Sequence, residues 1–171
     1  MFIETNKFFY WKLLNIKNIV LKPRGVDLSN CKLNKIEDQL NYKEAVKYFI
    51  DLQNFIGLIE KNNLTLTYVD ENDFLIVDGN IILINDNCII DFNKDNYFTI
   101  DKILKPKKYI PPEFKYEFPL NLYKSFCYYQ LCSMIKNKLL LSLDNIKHTP
   151  LYYSVNRGLH LEPNKRFLII I

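Results

Sequence analysis

The chain has 171 residues, of which 49% are hydrophobic and 25% charged. This length and composition suit one folded domain and exclude a disordered tail or a fibrous repeat. The formal net charge of +4 is too small to indicate nucleic-acid binding by itself, and we expect no such partner. Four cysteines without a CxxC spacing predict reduced thiols and no zinc site: Cys31, Cys88, Cys127 and Cys132.

Uninterrupted apolar runs, such as residues 139–141 and 167–171, are far shorter than the roughly 18 residues of a membrane-spanning helix. We therefore expect no membrane partner. Because no basic and then apolar leader opens the sequence, we expect a cytoplasmic location.

The sequence opens with two predicted strands, residues 8–14 and 19–21, which are rich in β-branched and aromatic residues. A turn is expected at residues 23–25. Asn41 and Glu44 have the spacing of a capping box, and apolar residues follow at steps of three and four. This pattern predicts a helix of about 20 residues that ends near Asn62.

The middle of the chain alternates short apolar runs with turn residues. Residues 74–77, 81–84 and 88–90 are predicted strands, and the tight turns between them favour antiparallel hairpins. The polar stretch 93–108 is predicted to be a long irregular loop.

Helices are expected in the last third of the chain. The apolar stretch 122–135 predicts a buried helix. Thr149 and Pro150 predict the start of another helix, Gly158 predicts its end, and the final segment restarts at Pro163. We therefore expect a single α+β domain.

This order of elements resembles the C-terminal lobe of the protein kinase fold, from about residue 18 onward. Residues 19–28 look like the last N-lobe strand, the hinge and the start of the next helix, and residues 123–127 resemble the start of the buried central helix. Residues 109–113, ending in Glu113, resemble the A-P-E end of the activation segment. Pro163 and Arg166 match the L-x-x-x-P-x-x-R ending, with Leu159 as its first residue.

The resemblance implies one domain, 1–171, made of an N-terminal strand and hinge remnant (1–22) and a kinase C-lobe-like part (23–171). The fold is expected to be mostly helical, with a small antiparallel β patch and a short N-terminal β remnant. Kinases pair the charges that correspond to Glu113 and Arg166, so the resemblance implies a structural ion pair here.

The catalytic elements of kinases are degenerate or missing. About 18 residues precede the hinge-like strand, too few for the glycine-rich loop, the strand lysine and its glutamate partner. The catalytic loop of kinases has the motif H-R-D-x-x-x-x-N, and Asp73 takes the place of its Asn. Tyr68 takes the place of the Asp, or Asp70 does if the loop is two residues shorter.

The magnesium-binding D-F-G motif is also altered. It corresponds to residues 85–87, with Asn85 and Asp86, or to residues 91–93 if the register slips by one strand. We favour the first, because it uses the hairpin turn at residues 78–80 as kinases do. Leu122 takes the place of the aspartate that starts the central helix.

The resemblance therefore implies a truncated pseudokinase, without catalysis or cofactor, like the degenerate kinase relatives of large DNA viruses. We expect a viral protein, in the host cytoplasm or the virion, that binds another protein as a decoy or inhibitor of a kinase or as an assembly component. The alternative is a phosphotransferase subunit completed by a partner chain that supplies the nucleotide-binding lobe.

Other candidate sites have plainer interpretations. Aspartates 70, 73, 86 and 91 could hold a divalent metal, but turn-forming aspartates are the favoured reading and no metal site is expected. His148 and His160 lack a nucleophile at a motif spacing. Lysines 102, 105, 107, 108 and 115 could attract an acidic partner, although a solvated loop is favoured.

The aromatic residues near the N-terminus predict an interaction surface. Phe8, Tyr10 and Trp11 lie on a predicted edge strand whose neighbours in a complete kinase would cover it. We expect this strand to contribute to a protein interface or to self-association.

Overall fold

The computed structural model describes residues 1–4, 18–37, 39–102 and 108–168. The predicted strand that carries Phe8, Tyr10 and Trp11 lies outside these residues. The described part contains three α-helices and ten short strands in four small antiparallel sheets, an α+β fold. It is less helical than expected, because strands occupy segments that were predicted as loop and helix. None of its helices is long and apolar enough to cross a membrane.

The N-terminal sheet has three strands in the order β1, β3, β2. They are β1 (Phe2–Glu4), β2 (Val20–Lys22) and β3 (Gly25–Asp27), and the predicted turn joins β2 to β3. A Cβ atom at Gly25 would lie 2.2 Å from the carbonyl oxygen of Ile3 on β1. Glycine is therefore required for the close approach of these two strands.

Helix α1 (Tyr42–Glu60) begins where the sequence predicts. The Asn41 side chain accepts a hydrogen bond from the Glu44 N–H, and the Glu44 carboxylate accepts one from the Asn41 N–H, both at 3.0 Å. The periodic apolar residues of the helix are buried against the rest of the core: Ala45, Phe49, Leu52, Ile56 and Ile59.

The predicted hairpin consists of β6 (Phe74–Val77) and β7 (Asn80–Leu83). Asp78 and Gly79 form its two-residue turn with φ values of 49° and 80°, the left-handed conformation that a type I′ turn requires. On its other side, β6 pairs with β4 (Leu33–Asn34).

The second expected hairpin does not form. A 3-10 turn (Asp86–Cys88) redirects the chain, and β8 (Ile89–Asp91) pairs with β5 (Leu64–Leu66) instead of β7. Of the predicted consecutive hairpins, only the first forms. The prediction of the second was wrong because β5, the partner of β8, lies outside the segment 74–90 whose pattern suggested hairpins.

Two further expectations are corrected by β9 (Tyr97–Ile100) and β10 (Leu120–Tyr123), which pair antiparallel. Part of the predicted loop 93–108 is thus a strand. The central helix α2 (Phe126–Lys138) starts four residues later than expected, because Leu122 belongs to β10 and is buried opposite Phe98.

Helix α3 (Pro150–Gly158) has the predicted ends, and the Thr149 hydroxyl accepts a hydrogen bond from the Tyr152 N–H at 3.2 Å. A 3-10 turn (Pro163–Lys165) follows. The main core joins α1, the hairpin, α2 and α3. A second core, called here the aromatic cluster, contains Tyr68, Phe98, Phe114 and Phe126.

Candidate functional site

Residues 67–73, called here the Asp70 loop, follow β5 and precede the hairpin. The Asp70 carboxylate accepts a hydrogen bond from the Asn72 N–H at 2.9 Å, and the Asp73 Oδ2 accepts one from the Asp70 N–H at 2.8 Å. This reciprocal capping closes a 3-10 turn (Glu71–Asp73). Both carboxylates therefore hold the shape of the loop.

The structure brings Asp73 and Asn85 together. The Asn85 Nδ2 donates to the Asp73 Oδ1 at 2.8 Å, and the Asp73 carboxylate is almost completely buried. The Asn85 Oδ1 accepts a hydrogen bond from the Asn87 N–H at 3.3 Å. Asp86 is buried in the following 3-10 turn, whereas Asp91, in the alternative register, is exposed on β8.

This arrangement does not fit Mg²⁺. The ion takes oxygen ligands in a near-octahedral shell. Each carboxylate oxygen of Asp73 already accepts a hydrogen bond from the protein, and Asn85 presents its NH₂ group to Asp73. Among the described residues, no three His, Cys, Asp or Glu side chains form a group able to hold a metal.

Tyr68 lies inside the aromatic cluster. Its ring packs edge-to-face on Phe114 and Phe126, with centroids 5.4 Å and 5.7 Å away. Its hydroxyl is buried and has no hydrogen-bond partner among the described residues, and burial raises the pKa of Tyr68 to about 12. The group is therefore a neutral phenol at physiological pH and a poor acceptor for a proton.

Replacing Tyr68 by Phe removes this unpartnered hydroxyl and keeps the ring. We expect the free energy of unfolding to stay the same or to rise by up to about 1 kcal/mol, because no hydrogen bond is lost. Chemical denaturation monitored by circular dichroism measures it. In the control Tyr128→Phe, loss of the hydrogen bond from the Tyr128 hydroxyl to Glu60 should destabilise the fold. A similar loss in both variants would contradict the prediction.

Gln130 of α2 also contacts the Asp70 loop, which sequence reasoning missed. It is completely buried, and its Oε1 accepts a hydrogen bond from the Val69 N–H at 3.4 Å. The available signal was a polar residue in the middle of an otherwise apolar helical stretch. Gln130 thus links the loop to the central helix.

Glu71 connects the loop to two lysines. Its Oε1 lies 3.2 Å from the Lys108 Nζ and 3.8 Å from the Nζ of Lys138, which is buried in the last turn of α2. Burial raises the pKa of Glu71, but hydrogen bonds from its own backbone N–H and from Lys108 outweigh this effect and hold the pKa below its ordinary value. Glu71 is therefore charged, and it connects the Asp70 loop to Lys108 and to the end of α2.

Glu113 and Arg166 form a bidentate ion pair far from the Asp70 loop in sequence. The two guanidinium nitrogens donate to the two carboxylate oxygens at 2.6 Å and 2.7 Å. The Arg166 Nε donates to the carbonyl oxygen of His160 at 2.6 Å, and Nη2 donates to that of Leu161 at 3.0 Å. The Arg166 side chain is fully buried, so the pair fastens the segment after residue 108 to the C-terminal segment.

The histidines and cysteines show no catalytic arrangement within the described ranges. The His148 Nδ1 lies 3.2 Å from the Tyr153 hydroxyl, and the His160 Nδ1 accepts a hydrogen bond from the Glu162 N–H. Burial raises the pKa of the thiols of Cys127 and Cys132, which disfavours the reactive thiolate.

No family model matches the sequence, and no curated protein matches it either. The fold is similar to the crystal structure of the Legionella pneumophila LegK7 effector kinase, with a TM-score of 0.57 and 17% sequence identity. The match covers 74% of this chain and 36% of that chain, so this protein spans well under half of the kinase's length. At this identity the similarity shows a kinase-like fold and nothing about activity.

Proposed function

We propose that this protein is a catalytically inactive, kinase-like binding module that corresponds to the C-lobe of a pseudokinase and acts through protein–protein contact. The observation that carries the proposal is the hydrogen bond between Asp73 and Asn85. In the favoured register these are the two magnesium-binding positions of a kinase, with the carboxylate and the amide exchanged. Each side chain is hydrogen-bonded to the other instead of binding a metal.

The position of the catalytic base supports the same proposal. One aspartate of a kinase accepts the proton of the substrate hydroxyl. With the standard spacing of the motif Tyr68 stands there, and its hydroxyl is buried in the aromatic cluster. Asp70, the alternative candidate, is engaged in capping the 3-10 turn. Neither arrangement suits general-base catalysis.

The isolated chain is expected not to bind Mg-ATP. Asp73 and Asn85, at the two magnesium-binding positions of the favoured register, hydrogen-bond each other at 2.8 Å, so the pair is not arranged to hold the Mg²⁺ ion of Mg-ATP. A thermal-shift titration measures this, since a nucleotide that binds only the folded state raises Tm with its concentration. ATP with EDTA and Mg²⁺ alone are the controls. A magnesium-dependent rise in Tm at sub-millimolar ATP would overturn the proposal.

We further propose a viral origin and a location in the host cytoplasm or the virion, with a kinase or an assembly component as the partner. Affinity purification from the native source, followed by mass spectrometry, identifies the partner. Recovery of a protein kinase favours a decoy or inhibitor, whereas recovery of structural proteins favours an assembly role.

A second candidate function is a phosphotransferase subunit completed by a partner chain. One observation favours it: Asp73 and Asn85 retain one carboxylate and one amide side by side. A partner that supplies a nucleotide-binding lobe could reorganise this pair. The same thermal-shift titration on the purified complex separates the two functions, because only the split enzyme should bind Mg-ATP there.

A further inference from the structure

We draw no further inference here: the strongest candidate, the cleft of about 440 Å³ that helix α1 forms with Tyr128 and the C-terminal residues Phe167 and Leu168, is partly apolar, and nothing in the described part of the chain shows what covers it.

Discussion

Replacing Arg166 by Met is expected to lower the free energy of unfolding by about 3–5 kcal/mol, a large share of the stability of a typical domain. The physical reason is the burial of the pair: without the guanidinium, the Glu113 carboxylate and the carbonyl groups of His160 and Leu161 lose their donors. Urea denaturation monitored by circular dichroism gives the value.

A double-mutant cycle with Glu113→Gln shows whether the cost belongs to the pair. If the two side chains act together, the double variant should lose much less than the sum of the single losses. The matched control is Lys165→Met. Lys165 pairs with Glu162 at 2.6 Å, but both side chains are more than half exposed, so no measurable change is expected. Additive losses for Glu113 and Arg166 would contradict a coupled pair.

The second large effect is expected at Gly158, where α3 touches α2. A Cβ atom there would lie 2.2 Å from the Sγ of Cys132 and 3.4 Å from the carbonyl oxygen of Tyr128. We expect Gly158→Ala to cost about 1–3 kcal/mol, because the two helices must move apart or the thiol must rotate within a packed core. Thermal and chemical denaturation measure this cost.

The chain offers both a control and a rescue for this prediction. Gly57 lies within α1, and nothing lies within 4 Å of a Cβ built there, so Gly57→Ala should stabilise the fold by about 0.5–1 kcal/mol. Adding Cys132→Ala to Gly158→Ala should recover part of the loss, because it removes the sulfur atom that the new methyl group meets. If both glycine variants shift stability in the same direction, steric contact is not the cause.

The elements predicted well are those with local signals. The capping box at Asn41 and the N-cap at Thr149 each depend on residues within one helical turn. The turn at Asp78 and Gly79 determines its hairpin through the positive φ values of two adjacent residues. Each signal is complete within a few residues, so the sequence alone is sufficient.

The elements missed are those whose partners are distant. Leu64–Leu66 becomes a strand only because Ile89–Asp91 lies beside it, and Leu120–Tyr123 only because of Tyr97–Ile100. Three or four apolar residues cannot be assigned to strand or helix by periodicity. Likewise, nothing local shows that Tyr68 points into the aromatic cluster or that Gln130 reaches the Val69 N–H.

The candidate site was anticipated through the kinase resemblance more than through patterns. The resemblance assigned Asp73 to the Asn of the catalytic loop and Asn85, in the favoured register, to the Asp of D-F-G, and in the structure the Asn85 Nδ2 lies 2.8 Å from the Asp73 Oδ1. The sequence could not show that each satisfies the other, because that depends on side-chain orientation. The same holds for Glu113 and Arg166, which are 53 residues apart.

This separation has a consequence during protein synthesis. A ribosome adds about 5–20 residues per second, so Glu113 is made several seconds before Arg166. During this interval the segment that carries Glu113 lacks the contact that fastens it to the rest of the domain. The nascent chain then exposes apolar surface that molecular chaperones recognise. Variants that weaken the pair should therefore reduce the yield of newly made protein as well as the stability of molecules that have already folded.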